Sequence, residues 1–236
     1  MRYQTIFLDA GGVLVTPNWD RAADALTRHG VPVSAATLEA AEPFVKLQLD
    51  VAPTVRSTND QQRGFLYFDL ILKRAGIEAN AATDAALAEL KAFNDTEGTW
   101  DVVAPDAIAT LSRLRGAGCR TVAVSNSNGI LRRMFQRVGL APYLDLVIDS
   151  TEEGVEKPDA RIFQIALEKS GGDARRTIHC GDIYQIDVVG ARAAGLPAVL
   201  LDPSGLYPHA DCPTVPSLTA FADGVLAGVF DQAAPE

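Results

Sequence analysis

Tyr3-Gln4-Thr5-Ile6-Phe7-Leu8 runs straight into Asp9-Ala10-Gly11-Gly12-Val13-Leu14. The first half is a short apolar run of strand length and the glycine pair marks a turn, so Asp9 falls at a strand tip. A carboxylate at the tip of a buried strand is a candidate nucleophile. Aspartates in that position more commonly just cap the turn. The weight given to Asp9 therefore depends on what the rest of the chain places near it.

Four further apolar runs read as strands: Arg120 to Val124, Leu146 to Ile148, Thr177 to Cys180 and Ala198 to Leu201. Continuous apolarity means cover on both faces, hence a parallel α/β sheet of Rossmann-like type. The crossover helices are predicted at Pro105 to Arg115, Ile130 to Val138, Ala160 to Lys169 and Val188 to Ala194. A short helix is expected near Leu218 to Val229 before a frayed end. Four of the five strands are followed by a polar residue: Asp9, Ser125, Asp149-Ser150 and Asp182. Ligands of open α/β sheets bind beyond the carboxyl ends of the strands, so these tips are expected to share one crevice.

From about Trp19 to Phe93 the pattern changes to Ala, Leu and Glu at helical spacing. Helices are predicted at Asp20 to His29, Ser34 to Leu49, Asn59 to Ala75 and Ala81 to Phe93, with Gly30-Val31-Pro32, Ala52-Pro53 and Gly76 as breaks. The expected organisation is an α/β core of residues 1–16 and 97–236 with an all-helical insertion at 17–96. Thr16-Pro17-Asn18 and Asn94-Asp95-Thr96-Glu97-Gly98 would be its hinges and the insertion a lid.

With 236 residues, 47% hydrophobic and 22% charged, the chain is long enough for a large core and too apolar for general disorder. A net charge of -9 and no run of Lys or Arg oppose a sequence-independent grip on nucleic acid. Cys119, Cys180 and Cys212 form neither a disulfide framework nor a CxxC site. No apolar stretch has the length of a membrane span and no secretory signal is visible, so a cytoplasmic location is expected.

Three later segments carry chemistry. Ser125-Asn126 precedes a helix expected from near Gly129, so its hydroxyl and backbone amides can meet an anion. Lys157 lies before Pro158 at an expected helix first position, which would put its ammonium beside a helix N-terminus. Asp182 and Asp187 bracket a turn after the fourth strand. Hard oxygen ligands there suit magnesium. Asp187 alone would serve as an N-cap before Val188. His179 is expected to be packed, and Asp20, Trp19, Arg56 and Arg63 are expected to be ordinary residues of the insertion.

The chain resembles the haloacid dehalogenase-like hydrolases, mostly magnesium-dependent phosphatases. The resemblance rests on Asp9 with its flanking run, on Val124-Ser125-Asn126, on Ser150 to Phe163 including Glu156-Lys157-Pro158-Asp159, and on Gly181-Asp182 to Gly195 with Asp187. It covers Tyr3 to Leu14 and about Trp100 to Leu201, and the helical insertion matches the family's cap in position and type. It implies that Asp9 is the nucleophile forming an aspartyl-phosphate and that Lys157 neutralises charge. Ser125 and Asn126 would meet a small phosphorylated substrate. Asp9, the backbone carbonyl of Gly11 and Asp182 would hold Mg2+, with Asp187 in support.

One position departs from the pattern. Most phosphatases of the family carry a second aspartate two residues after the nucleophile, where this chain has Gly11. The resemblance then implies loss of the general acid that protonates the leaving alcohol. Three readings of Gly11 follow: a substrate that needs no acid, an acid delivered by the cap or the substrate, or a non-catalytic phosphate-binding protein. Asp20 is the candidate substitute acid. A 2-haloacid dehalogenase is the other enzymatic reading, and Gly181-Asp182 weighs against it, because dehalogenases generally carry Ser-Asn chemistry there.

Overall fold

A computed structural model describes residues 2–231; the expected frayed end lies outside them. In chain order, β1 (Thr5–Leu8) and β2 (Val15–Thr16) precede five helices. These are α1 (Trp19–Arg28), α2 (Ala35–Leu49), α3 (Ala52–Ser57), α4 (Asp60–Arg74) and α5 (Ala81–Thr96). Then come β3 (Val102–Val103), α6 (Ala107–Gly116), β4 (Arg120–Ser125), α7 (Leu131–Arg137), β5 (Leu146–Asp149) and the short α8 (Ser150–Glu153). The chain continues through α9 (Ala160–Ser170), β6 (Thr177–Gly181), α10 (Val189–Ala193), β7 (Ala198–Leu201), β8 (Thr214–Val215) and α11 (Leu218–Ala227).

These elements form two compact units, Met1–Thr16 with Val102–Glu236, and Pro17–Asp101. The first is a six-stranded parallel sheet in the order β5-β4-β1-β6-β7-β8, with helices between the strands. β1 is central, Leu8 pairing in register with Ala123 on one side and Cys180 on the other. Its four residues are all buried, as a strand covered on both faces requires. Phe7, Val122, Val124 and Ile148 pack with Ile162 and Phe163 of α9 and with Val188 and Ala191 in one apolar cluster. Fully burying each of the Val, Ile and Phe side chains is worth about 1.5–3 kcal/mol. The sheet is one strand wider than expected: β8 lies in a proline-rich stretch and is held by Leu200 N–H to Pro213 O (2.9 Å) and Asp202 N–H to Val215 O (2.8 Å).

β2 and β3 pair antiparallel, Val15 opposite Val103 and Thr16 opposite Val102. This ribbon is where the chain leaves and re-enters the sheet unit. The helical unit closes its own ends: Asn18 N–H reaches Thr99 O at 2.9 Å, and Asp101 binds the Arg21 guanidinium at 3.0 and 3.2 Å and Asn18 Nδ2 at 3.0 Å. It therefore runs to Asp101 rather than 96. Its core joins Trp19, Leu26, Leu38, Val45, Tyr67, Ile71 and Leu90, with Trp100 packed against it.

Five helices rather than four make up this unit. The additional one, α3, starts at the expected break, where Pro53 occupies the first turn and needs no N–H partner. α5 continues through the expected hinge to Thr96, after which Asn94 Oδ1 accepts from Thr99 N–H and Oγ1. Among the described residues no helix is long and apolar enough to cross a membrane.

Candidate active site

Asp9 follows β1, Ser125 ends β4, Asp149 ends β5 and Asp182 follows β6, so the four polar tips stand at the same edge of the parallel sheet. The Asp9 N–H extends the ladder to Cys180 O at 3.0 Å, and its Oδ1 accepts from Ala10 N–H at 2.7 Å. The chain then turns sharply: Leu14 and Val15 N–H both return to Ala10 O at 2.9 Å, and Gly12 N–H meets Val15 O at 2.7 Å. Gly12 adopts φ +74°, open to glycine without strain. Gly11 is half-buried in this turn, bridged to Val15.

Lys157 is 1% exposed, and its ammonium sits 2.8 Å from Asp9 Oδ1 and 2.7 Å from Asp187 Oδ1. That is not the expected place beside a helix N-terminus. α9 begins at Ala160 with Asp159 as its cap, Oδ1 accepting from Arg161 N–H at 2.8 Å, so Pro158 precedes the cap instead of opening the helix. An aspartate satisfies the free amides of a first turn better than a residue further back can. Lys157 is thereby left to serve the carboxylates.

Asp187 also departs from expectation. It does not cap α10. A single π-helical turn, Tyr184–Val188, folds its side chain inward, where it is fully buried. Its Oδ1 receives Lys157 Nζ and His179 Nε2 (2.9 Å), and Oδ2 receives Ile183 N–H (3.1 Å). His179, expected only as a packed residue, is packed edge-on against Phe163 and in addition orients Asp187. Its sequence signal was a polar residue inside an otherwise apolar strand.

Asn126, expected to meet substrate together with Ser125, has its side chain bonded to Lys157. Its Nδ2 donates to Lys157 O at 3.0 Å while its Oδ1 accepts from Lys157 N–H at 2.7 Å, a two-bond ring that fixes the lysine backbone. Of the other residues considered from sequence, Asp20 and Arg56 are exposed. Trp19 is stacked on Tyr67 inside the helical unit, and buried Arg63 donates to Thr58 O at 2.6 Å.

Asp9, Asp182 and Asp187 are all buried and can each offer an oxygen within 4.8 Å of the others. Burial pushes the Asp9 carboxyl above its ordinary range; the Lys157 ammonium opposes this and the Asp187 charge adds to it. Burial acts the same way on Asp187, but Lys157 and His179 outweigh it and hold that carboxyl below the usual range. Lys157 is likewise desolvated, yet the two carboxylates raise its ammonium above the ordinary lysine value. The cluster thus holds three acids against one fixed cation.

Gly181 makes this packing feasible. A Cβ there would lie 2.1 Å from Asp187 Cγ and 2.3 Å from its Cβ. Gly181→Ala is expected to expel Asp187 from its place. The cost should be about 1–3 kcal/mol of overpacking, read as a lower unfolding midpoint, together with loss of hydrolytic rate. An alanine variant with wild-type rate would show that Asp187 need not sit there.

Comparison with known proteins agrees with the fold. Haloacid dehalogenase-like hydrolase domain-containing protein 3 of Bos taurus is 33% identical over 178 residues, 73% of this chain and 70% of that protein. The glyceraldehyde 3-phosphate phosphatase of Methanopyrus kandleri is 32% identical over 134 residues, 56% of this chain and 57% of its own length. Among solved structures, YfnB of Bacillus subtilis, bound to magnesium, superposes with a TM-score of 0.69 at 19% identity, covering 94% of this chain and 98% of that one. The family's own sequence model matches residues 3–195, from β1 to the glycine after α10, and so takes in every strand tip described above. The chain belongs to the haloacid dehalogenase-like hydrolases.

Proposed function

We propose that the protein is a magnesium-dependent phosphohydrolase of small phosphorylated metabolites, with Asp9 as its nucleophile and the helical unit as the family's cap. The observation that carries this reading is the buried cluster of Asp9, Asp182 and Asp187, of which Asp9 and Asp187 share a single ammonium, Lys157. Three carboxylates and one cation leave surplus negative charge in a dry place, and a hard dication with oxygen ligands is the group that fits. Asp9, Asp182 and the Gly11 carbonyl would hold Mg2+, with Asp187 in support. The bound ion would offset charge on the phosphoryl oxygens and keep Asp9 ionised.

An Asp9 carboxylate oxygen attacks phosphorus, the bond from phosphorus to the leaving oxygen breaks, and an aspartyl-phosphate forms. Lys157 stands against Asp9 and would neutralise charge on the transferring group. Ser125, at the neighbouring strand tip, would donate its hydroxyl to a phosphoryl oxygen. Water then attacks phosphorus, the bond to Asp9 breaks, and inorganic phosphate leaves with the carboxylate restored.

Gly11 has no side chain to give the leaving oxygen a proton, so substrates with good leaving groups, acyl and aryl phosphates, are favoured. General acid catalysis is typically worth about 10²- to 10⁴-fold. Rates on acetyl phosphate and p-nitrophenyl phosphate, compared with an alkyl phosphate in magnesium and in EDTA, test the reading. Gly11 lies outside the left-handed region, so Gly11→Asp introduces no such backbone strain. It should raise the alkyl phosphate rate within that range and the aryl rate much less. Absence of magnesium-dependent turnover on all three substrates, in wild type and Gly11→Asp alike, would overturn the proposal.

A further inference from the structure

The loop that joins β4 to α7, from Asn126 to Ile130, carries no regular structure, yet its course is tightly held from one side. Asp149, at the tip of the neighbouring strand and in register with Ser125, is completely buried. Its two oxygens accept from Gly129 N–H (3.1 and 3.2 Å), Leu131 N–H (3.3 Å) and Thr151 N–H (3.0 Å). The next two residues act on the same loop. Ser150 Oγ accepts from Ser127 N–H at 3.0 Å, and Thr151 Oγ1 donates to Ser127 O at 2.6 Å. Gly129 turns with φ +86° above Thr151, whose Cγ2 would be 3.5 Å from any Cβ added there.

Three consecutive residues thus satisfy backbone groups of Ser127, Gly129 and Leu131. A buried carboxylate accepting several amide bonds is a strong, directional fastening. On the loop's other side, Asn126 is stitched to Lys157. The loop is thus fastened at both ends, at Asn126 and at Leu131, before an anion arrives.

We propose that Asp149, Ser150 and Thr151 are positioning residues: the tip of β5 is a template that presets the loop following Ser125, and through it Ser125 itself, for a phosphoryl group. The ligand part of this inference rests on the phosphohydrolase reading; the fastening of the loop does not. A preset donor needs no reorganisation when charge develops beside it, so the residues act on grip for phosphate without touching it.

The test uses the full chain with Asp149→Asn, Thr151→Ala and Ser125→Ala. The readouts are competitive inhibition by inorganic phosphate, the kcat and KM on p-nitrophenyl phosphate, and amide hydrogen exchange at Gly129 and Leu131. Asparagine keeps the shape but turns one acceptor into a donor facing amides. Loss of a charge-assisted bond of this kind should raise the phosphate inhibition constant and KM by about 10-fold. It should also speed exchange at both amides, with a smaller change in kcat and no change in the magnesium concentration giving half-maximal rate. Thr151 is exposed, so Thr151→Ala remains informative even where Asp149→Asn does not fold, and it should raise the inhibition constant a few-fold.

If Ser125→Ala weakens phosphate inhibition while Asp149→Asn and Thr151→Ala leave it and KM unchanged, the template role is overturned and the phosphohydrolase reading stands. If phosphate inhibits wild type no better than Ser125→Ala, the phosphate-facing role of the loop falls, and the inference with it.

Discussion

Asp9→Asn is expected to remove magnesium-dependent phosphatase turnover, with kcat lower by something on the order of 10⁶-fold, the scale found when the nucleophile of a covalent mechanism is deleted. Its effect on stability should have the opposite sign. Burial and the neighbouring Asp187 raise the Asp9 carboxyl above its ordinary range against the pull of Lys157. A carboxyl whose folded value is raised costs the fold free energy once it ionises, so stability falls as pH rises from the unfolded value of about 3.9 through the raised folded one. Asparagine carries no such charge. Without magnesium, the variant should unfold at the same temperature as wild type or higher at neutral pH, and magnesium should stabilise it less. The measurements are turnover on p-nitrophenyl phosphate and thermal unfolding with and without magnesium. Turnover that survives the substitution would remove Asp9 from the role of nucleophile.

Lys157→Met should damage both properties. Methionine fills the volume but leaves Asp9 and Asp187 facing one another without their shared cation, which lies 2.8 Å from Asp9 Oδ1 and 2.7 Å from Asp187 Oδ1. Removing one partner of a buried ion pair costs roughly 3–5 kcal/mol, and the loss of charge stabilisation about 10²- to 10³-fold in rate. The contribution of Asp187 to the pH dependence should change sign. In wild type, the depressed carboxyl of Asp187 contributes stability above its unfolded value of about 3.9 and loses it as pH falls through the lower folded value. Without the ammonium, both acids must take up protons to remain buried, so Lys157→Met should lose stability more steeply than wild type as pH rises from about 4 toward 7, because wild type loses it through the raised Asp9 carboxyl alone. Urea unfolding across that range decides the matter. A variant within 1 kcal/mol of wild type (about 1 kcal/mol being an ordinary single-site effect) would show that the lysine is not the charge holding the cluster together.

The parallel sheet could be read before the structure because buried strands leave continuous apolar runs, and Ala198–Leu201 appears with its expected limits. Ser125, Asp149 and Gly181 fall inside their strands rather than after them, since the ladder continues through the polar tip. β8 and α3 left no such trace. Two residues among prolines carry no period, and Ala52-Pro53 reads the same whether the proline ends a helix or starts one. Around the site, residue types were legible but orientations were not. Asp187 reaches Lys157 only because a π-helical turn rotates it inward, and nothing local in Tyr184-Gln185-Ile186 announces that turn. Asn126 bonds a partner 31 residues away, a pairing that a reading confined to its own loop does not show.

The ribbon formed by β2 and β3 has a consequence for how such a chain can change over generations. From the sheet's side, everything between Thr16 and Val102 is a closed loop whose ends are already paired. The entropy of closing a loop rises slowly, by about 0.6 kcal/mol for each doubling of its length. Inserts of very different size can hang from the same two strands at little cost to the sheet. The helical unit, which ties its own ends together through Arg21 and Asp101, is thus a cassette: recombination can trade it for another while the strand tips keep their register.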